Sequence, residues 1–264
     1  MKADARRAAI EERVRTDREV DFATLADRFS VSEMTIRRDI DALEEKGVLR
    51  RVAGGAIAFT GRGYEPSFES RALKAATEKQ HIAEVVAGLL RPRETVVLDS
   101  GSSALAVAHA VRGRGLGLTV VTPSILVALA LVDEDATTVL LTGGKVRRGE
   151  LSLIGPEMEA SFAGYNCDTY VMGIAGLDAA KGATDYHREE AAIKRSAQAS
   201  SARVIVPIDA SKLGQVHLVH VAPLSALDVI VSDGDAADPT LEAAAAFGIE
   251  VIRVSPRASE GGEQ

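Results

Sequence analysis

Residues 31–57, VSEMTIRRDIDALEEKGVLRRVAGGAI, form the stretch of this chain that decides its fold. Ser32 predicts the start of a helix, because its hydroxyl can accept a hydrogen bond from a backbone N–H that lacks a helical partner. Ile36, Ile40 and Leu43 then recur at helical spacing and form one apolar stripe. The stretch therefore predicts a capped helix with one face turned to a core.

The opposite face of this helix suits the major groove of DNA. Arginine can pair with guanine or with phosphate, and the methyl groups of methionine and threonine can touch thymine methyls. Met34 and Arg38 point away from the stripe, and Thr35 and Arg37 flank it. The candidate DNA-binding residues of the helix are Ser32, Met34, Thr35, Arg37 and Arg38.

A short basic hairpin is expected after this helix, which Gly47 should end. Residues 48–52 (VLRRV) read as a strand, and the glycine pair 54–55 reads as its turn. Arg50 and Arg51 are adjacent on that strand, so their side chains should point to opposite faces. Both are candidate DNA contacts, of which at most one can face the duplex well.

Two further helices are expected upstream, at residues 6–16 and 20–29. Leu25 and Phe29 share one face of the second, and residues 30–31 make a tight turn. In this geometry one helix braces against the DNA backbone while the next enters the groove. A helical packing module with solvated arginines is the competing interpretation, but arginine pairs on both the helix and the hairpin favour DNA binding.

Charge is distributed unevenly along the chain. The 264 residues, 46% of them hydrophobic, suffice for one small and one larger domain. Residues 1–60 hold 12 Lys+Arg and 12 Asp+Glu, so the remaining 19 and 26 carry the whole formal charge of −7. The arginines of the DNA-reading segment must therefore be sorted to one face to attract nucleic acid.

Membrane insertion and disulfide bonding are not expected. Residues 1–15 are charged throughout, and the longest apolar stretch, residues 125–132, is far shorter than the roughly 20 residues of a membrane span. Cys167 is the single cysteine, so no intramolecular disulfide can form. We expect a cytoplasmic protein with no membrane contact.

Beyond about residue 76, apolar strands alternate with amphipathic helices. Strands rich in Val, Ile and Leu are typical of a parallel sheet covered on both faces, so we predict an α/β fold with ligands at the carboxyl ends of the strands. The strands are expected at 95–98, 118–122, 138–141, 169–173, 203–207, 229–232 and 250–254. The helices are expected at 81–90, 104–112, 125–132, 157–162, 189–200 and 241–247.

A loop rich in Gly and Ser follows the first of these strands. It comprises Asp99, Ser100, Gly101, Ser102 and Ser103 and opens the next helix. Free N–H groups, hydroxyls and the helix dipole attract an anion at such a position. An ordinary helix cap is the alternative interpretation of the loop.

Other loops at the same sheet edge carry polar residues and glycines. Each alone is more often a tight turn than a site, but together they favour a phosphorylated, hydroxyl-bearing ligand. Asp185 and Glu189 can accept hydrogen bonds from sugar hydroxyls, although acidic residues also suit the first turn of a helix by themselves. The remaining candidate effector contacts are Thr122, Gly143, Gly144, Lys145 and Lys212.

The sequence predicts no metal site, no cofactor and no catalytic residue. His217 and His220 are three residues apart, but no third metal ligand lies near them in sequence. The other histidines and Cys167 are isolated and form no nucleophilic constellation.

Residues 35–57, TIRRDIDALEEKGVLRRVAGGAI, resemble the winged helix-turn-helix signature of the DeoR family of bacterial repressors. Five later segments resemble the sensor domain of that family: 78–86 (EKQHIAEVV), 96–104 (VVLDSGSSA), 119–124 (TVVTPS), 140–145 (LLTGGK) and 208–214 (IDASKLG). That domain is similar to ribose-5-phosphate isomerase and binds phosphosugars or related phosphates. The resemblance implies that the loop 99–103 holds the phosphate or nearby hydroxyls and that Lys212 offers a positive charge.

We therefore predict a DNA-binding transcriptional regulator, a repressor of sugar or polyol metabolism genes under the control of a phosphorylated sugar. The expected parts are a winged helix-turn-helix domain at 1–58, a linker at 59–75, an α/β sensor domain at 76–255 and a disordered tail at 256–264. The expected partners are double-stranded operator DNA, a phosphosugar or polyol phosphate, and further copies of the chain in a dimer or tetramer.

Two other classes compete with this prediction. A sugar-phosphate isomerase-like enzyme with a DNA-binding appendage would need a positioned base, for which Glu189 or Asp178 could be proposed. An RNA-binding module would need an aromatic stacking platform, which the sequence lacks.

Overall fold

The computed structural model describes residues 2–45, 48–58 and 62–254. The chain divides into two compact units, Met1–Lys74 and Ala75–Gln264. The predicted helix end at Gly47 and the predicted disordered tail at 256–264 lie outside the described residues.

The first unit packs helices around a small antiparallel sheet with the strand order β1-β3-β2. Its elements are α1 (Ala3–Asp17), β1 (Glu19–Asp21), α2 (Phe22–Phe29), α3 (Glu33–Glu45), β2 (Leu49–Val52), β3 (Gly55–Ala58) and α4 (Phe68–Leu73). Ile36, Ile40 and Leu43 are at most 2% exposed, which confirms the predicted apolar stripe of α3.

The prediction that a helix starts at Val20 is wrong. Residues 19–21 form β1, and α2 begins at Phe22. The Asp21 carboxylate caps α2 by accepting from the backbone N–H of Thr24 at 2.7 Å. A strand of three residues is too short to show a periodicity of its own, and its pairing with β3 and the burial of Val20 stabilise it.

The hairpin between β2 and β3 needs its two glycines for different reasons. Gly54 has φ +84° and makes the turn. Gly55, predicted as part of the turn, is instead the first residue of β3. A Cβ at Gly55 would lie 1.9 Å from the carbonyl oxygen of Val20, so only glycine lets β3 approach β1.

Buried polar contacts hold α1 to its neighbours. The Asp39 carboxylate on α3 accepts from Arg6 Nε at 2.6 Å and from Arg7 Nε at 3.0 Å. Glu11 accepts from the Tyr64 hydroxyl and from the Ser67 backbone N–H, both at 3.0 Å, and burial raises the pKa of Glu11. Part of the segment predicted as a linker, 59–75, is therefore packed onto α1.

The second unit is built on a seven-stranded parallel sheet, as the sequence predicted. Its strand order is β15-β14-β12-β9-β4-β5-β6. The strands of this sheet are β4 (Thr95–Leu98), β5 (Thr119–Thr122), β6 (Thr138–Leu141), β9 (Cys167–Val171), β12 (Ser201–Ile208), β14 (Val229–Ser232) and β15 (Glu250–Arg253). The helices are α5 (Ala76–Leu89), α6 (Ser102–Val111), α7 (Ile125–Leu131), α8 (Pro156–Phe162), α9 (Arg188–Ala199) and α10 (Pro239–Ala246).

Two smaller sheets in this unit were not predicted. One is a hairpin of β7 (Lys145–Arg147) and β8 (Ser152–Ile154). The other joins β10 (Gly176–Asp178), β11 (Gly182–Asp185) and β13 (Val219–Ala222) in that order. These strands have three or four residues, so their sequences carry too few alternations to reveal them.

Alternate residues of the large sheet supply two separate cores, one on each face. Val96 and Leu98 pack with α5, α6 and α7, whereas Val97 packs with α8 and α9 on the other side. This double burial explains the continuous apolar strands. Within the described residues, none of the helices combines the length and apolar character that a membrane crossing requires.

Candidate functional site

The face of α3 opposite its apolar stripe is open to solvent, as the sequence predicted. Met34 is 58% exposed, and Arg38 is exposed with no ion-pair partner among the described residues. Ser32 caps the helix by accepting from the backbone N–H of Thr35 at 3.2 Å, and the two hydroxyls lie 3.0 Å apart. Arg38 is thus the arginine of this helix whose guanidinium is free to reach a base edge.

Arg37 is already engaged within the domain. Its guanidinium lies 3.3 Å from the Glu33 carboxylate and stacks 4.7 Å from the centre of the Phe22 ring. These contacts orient the side chain along α2, the helix before the turn. They favour a phosphate contact for Arg37 over a base contact.

Arg50 and Arg51 differ in the same way. Arg51 pairs with Asp41, stacks 5.6 Å from the Phe22 ring centre, and its backbone N–H donates to Glu44 at 2.8 Å. Arg50 is exposed on the opposite face of β2. The sequence predicted that only one of the two could face DNA well, and the contacts of Arg51 leave Arg50 as the freer candidate.

We expect Arg50→Ala to weaken binding to cognate and scrambled duplexes by similar factors, because we assign Arg50 to a phosphate contact and phosphate contacts carry no sequence information. Arg51→Ala should have the smaller effect, since its guanidinium is held by Asp41. Fluorescence anisotropy over a salt series measures both effects. A loss for Arg50→Ala that is confined to the cognate duplex would mean that the residue reads bases.

In the second unit, the candidate effector loops meet where the chain changes direction across the sheet. From β4 the chain proceeds through β5 to β6, and from β9 it proceeds the other way to β12, β14 and β15. β4 and β9 are neighbours, so the crevice expected at a topological switch point would lie between their carboxyl ends. Parallel α/β sheets bind ligands at this kind of crevice.

Asp99, directly after β4, lies at the centre of this edge. Its Oδ1 accepts from the Ser100 backbone N–H at 2.8 Å. Its Oδ2 accepts from the Tyr170 hydroxyl at 2.7 Å, the Gly173 backbone N–H at 3.0 Å and Lys194 Nζ at 2.7 Å. The carboxylate is 2% exposed and ties the loop 99–103 to β9 and α9.

Lys194 joins two of the three predicted acidic residues of the site. Its ammonium lies 2.7 Å from Asp99 and 3.5 Å from Asp185, and its side chain is 4% exposed. Burial alone would lower the pKa of Lys194, but Asp99, Asp185 and Glu190 outweigh burial and raise it above the ordinary value. Lys194 is therefore charged at neutral pH and neutralises carboxylates that are almost fully buried.

Glu190 extends this buried network toward the β7–β8 hairpin. Its Oε1 accepts from the Ser152 hydroxyl at 2.7 Å and lies 3.0 Å from Arg147 Nη1. Burial alone would raise the pKa of Glu190, but Lys194 and Arg147 hold the pKa below its ordinary value. The neighbouring Glu189, which the sequence selected, is exposed instead.

The loop 99–103 leads directly into the start of α6. Gly101 has φ +95° and precedes the first turn of this ten-residue helix. Ser103, in that turn, is 6% exposed, and its hydroxyl has no hydrogen-bond partner among the described residues. A buried hydroxyl of this kind is normally satisfied, so it marks a place for a ligand oxygen or a water molecule.

The remaining predicted residues fall into two groups. Lys212 belongs near the network, because its Nζ donates to the carbonyl oxygen of Ile174, next to Gly173, at 3.1 Å. Thr122 is buried and accepts from the Ser124 backbone N–H at 3.1 Å, which fixes the turn after β5. Three predicted residues are exposed at the start of the β7–β8 hairpin. They have no described contact with the buried network around Lys194: Gly143, Gly144 and Lys145.

In the HLVH segment, His217 packs against an aromatic ring, whereas His220 is exposed. The His217 ring lies 4.2 Å from that of Tyr186. Over residues 2–45, 48–58 and 62–254, no group of three or more His, Cys, Asp or Glu is placed to hold a metal ion.

Two family models match this chain, one on each unit. Residues 6–61 match the DeoR-like helix-turn-helix domain, and residues 74–234 match the DeoR C terminal sensor domain. Together they span both the exposed face of α3 and the crevice around Asp99.

Similar proteins extend over most of the chain. The HTH-type transcriptional regulator GlpR of Haloferax volcanii is 32% identical over 87% of this chain and 89% of its own length. The glycerol-3-phosphate regulon repressor of Escherichia coli K12 is 30% identical over 88% and 92%. A ribose 5-phosphate isomerase A from Neisseria gonorrhoeae aligns over 51% of this chain and 52% of its own length, at 15% identity and with a TM-score of 0.35.

Proposed function

Because this chain belongs to the DeoR family of bacterial transcriptional repressors, we propose that it represses genes of sugar or polyol metabolism under the control of a phosphorylated effector. The winged helix-turn-helix unit holds the operator through α3. The effector occupies the crevice at the carboxyl ends of β4 and β9 and changes the affinity for DNA. A ligand can do so only if it binds the DNA-competent and DNA-free states unequally.

The observation that carries the effector proposal is the loop 100–103 with its buried, unpartnered Ser103 hydroxyl. Backbone N–H groups at the start of a helix and the helix dipole attract a phosphate, and α6 starts in this loop. Asp99 does not bind the phosphate itself, since a carboxylate would repel it and its oxygens already accept from four donors. Asp99 and Lys194 instead fix the shape of the loop.

A hydroxyl-rich loop at a helix start and a nearby lysine support a phosphate ester of a small polyol or sugar as the proposed effector. Lys212 supplies a positive charge near the crevice. The E. coli relative is named for glycerol 3-phosphate, so this compound belongs among the first to test, with pentose and hexose phosphates.

An enzymatic function has less support. The two bases that an isomerase interpretation could use are poorly placed, because Glu189 is exposed and Asp178 accepts from the backbone N–H groups of Ala180 and Lys181 in a turn. The similar proteins described above are named regulators and repressors. Turnover of a phosphosugar by the purified chain would favour the enzyme.

The repressor also acts as a homo-oligomer in this proposal. Helix-turn-helix proteins commonly read two half-sites one helical turn apart, so operator symmetry mirrors a two-fold axis of the protein.

We expect Ser102→Asp to abolish effector binding while leaving operator affinity unchanged. A carboxylate at the start of α6 repels a phosphate at close range, whereas the DNA contacts lie in the other unit. Calorimetry against glycerol 3-phosphate and the sugar phosphates, paired with anisotropy on operator DNA, measures both. Ser225→Asp, at an exposed serine after β13, is the matched control. If Ser102→Asp bound the effector as tightly as the wild type, the assignment of the loop 99–103 to the phosphate site would be wrong.

A further inference from the structure

The two edge strands of the large sheet, β15 and β6, differ sharply in the residues they expose. The edge strand β15 has charged, exposed residues, Glu250 and Arg253, at its two ends. The opposite edge strand, β6, has the sequence TVLL, with Leu140 37% and Leu141 47% exposed. Charges on an edge strand oppose pairing with another chain, and a bare apolar edge invites it.

The backbone of β6 is also open on its outer side. Thr138 and Thr142 turn their N–H groups toward β5, donating to Leu118 and Thr122 at 2.9 and 3.1 Å. Alternate residues of a strand turn their N–H groups to opposite sides, so Val139 and Leu141 point theirs outward. No described strand pairs with that side of β6.

From these features we propose that β6 pairs with β6 of a second copy of this chain, in antiparallel orientation about a two-fold axis at Leu140. In this register Val139 and Leu141 of the two copies form the hydrogen-bonded pairs. The two Leu140 residues face each other as the pair without hydrogen bonds, about 4.5 Å apart at Cα. The result is one continuous sheet across both sensor units.

Charge favours a second copy as the occupant. Exposed Asp133 and Asp135 precede β6, and exposed Lys145 and Arg148 follow it. An antiparallel pair brings the acidic start of one strand beside the basic end of the other, twice by symmetry. The exposed Leu129 and Val132 of the α7 region, at 65% and 62%, extend the apolar surface on one face of the junction. In this arrangement Lys145 serves the interface, although the sequence had assigned it to the effector.

The β6 pairing specifies how the proposed oligomeric repressor assembles, and it rests on that proposal only for the expectation that copies of the chain associate. Cysteine cross-linking tests it. Leu140→Cys in the full chain should form a disulfide-linked dimer under mild oxidation, because the expected Cα separation lies within disulfide range. Leu141→Cys should cross-link far less, since it faces Val139 of the other copy. The native Cys167 is buried and should not interfere.

Two further variants test the surface without a disulfide, with sedimentation velocity as the measurement. Val139→Pro removes an outward N–H that β5 does not use, so it should fold but halve the size of the oligomer or abolish association. Leu140→Lys should do the same, because like charges would meet at the axis. Phe247→Lys, at a 63% exposed residue beside the opposite edge strand, should keep the wild-type size.

A wild-type protein that stays monomeric at tens of micromolar would overturn the pairing. So would an oligomer whose Leu140→Cys form does not cross-link. Effector and operator binding, measured on the same samples, separate this failure from a failure of the effector-controlled repressor. A monomer that binds both the effector and the operator contradicts the pairing and the proposed oligomer, but not control of DNA binding by the effector.

Discussion

Lys194→Met should destabilise the sensor domain by about 3–5 kcal/mol, since the substitution leaves two buried carboxylates without their shared cation. Asp99 lies 2.7 Å and Asp185 3.5 Å from the Lys194 ammonium, and both carboxylates are almost fully buried. Effector binding should be lost as well, because Asp99 shapes the phosphate loop. Urea unfolding followed by circular dichroism, with the transition of each domain resolved, measures the loss.

The exposed Lys181→Met is the matched control and should unfold like the wild type. Adding Asp99→Asn to Lys194→Met should recover part of the stability, because it removes one of the uncompensated charges. A Lys194→Met protein with wild-type stability would show that the network is solvated and does not fix the loop.

Arg38→Ala should weaken operator binding by about 1–3 kcal/mol, or roughly five- to 150-fold, if its guanidinium contacts a guanine edge. The reason is its position on the open face of α3, with no ion-pair partner in the described part of the chain. Arg37→Ala should lose less, because Glu33 and Phe22 already hold that side chain. Anisotropy on cognate and scrambled duplexes gives both values.

The ratio of cognate to scrambled affinity decides how this result is interpreted. Loss of a base contact lowers cognate affinity more than scrambled affinity, whereas loss of a phosphate contact lowers both and makes the salt dependence shallower. Wild-type affinity in both variants would contradict the assignment of α3 to the major groove.

The sequence predicted the elements that are long enough to show a period. The stripe of α3 and the apolar strands of the parallel sheet were found because burial of a face imposes spacing on the residues. The short strands β1, β7, β8, β10, β11 and β13 were missed, since tertiary pairing stabilises them and three or four residues carry little pattern.

The sequence analysis selected loop residues of the candidate site but overlooked the buried charged residues of α9. Glycines and serines after a strand are visible in a sequence, so the loop 99–103 was selected. Asp185 was selected because it lies at the opening of a predicted helix. Glu190 and Lys194 were overlooked, although charges four residues apart on the buried stripe of α9, beside Ala191 and Ala197, are a readable signal. Only the three-dimensional structure reveals that Tyr170, on β9, donates to Asp99.

In the DNA-binding domain, the burial of Asp39 was likewise not predictable from the sequence. It follows two arginines of α3 in sequence and reads as part of a solvated charged face. In the structure it is 2% exposed and binds Arg6 and Arg7 of α1. The carboxylate that belongs to the helix-turn-helix core cannot be told from its exposed neighbours without knowing where α1 packs.

One titration tests the central claim most directly. Purified full-length chain is bound to a labelled duplex from the promoter region of its own gene and titrated with glycerol 3-phosphate, pentose phosphates and hexose phosphates, one at a time. We predict salt-dependent, sequence-specific binding that one of these phosphates shifts and its unphosphorylated parent does not. Specific DNA binding that no phosphorylated compound changes, or turnover of a phosphosugar without DNA binding, would contradict the account.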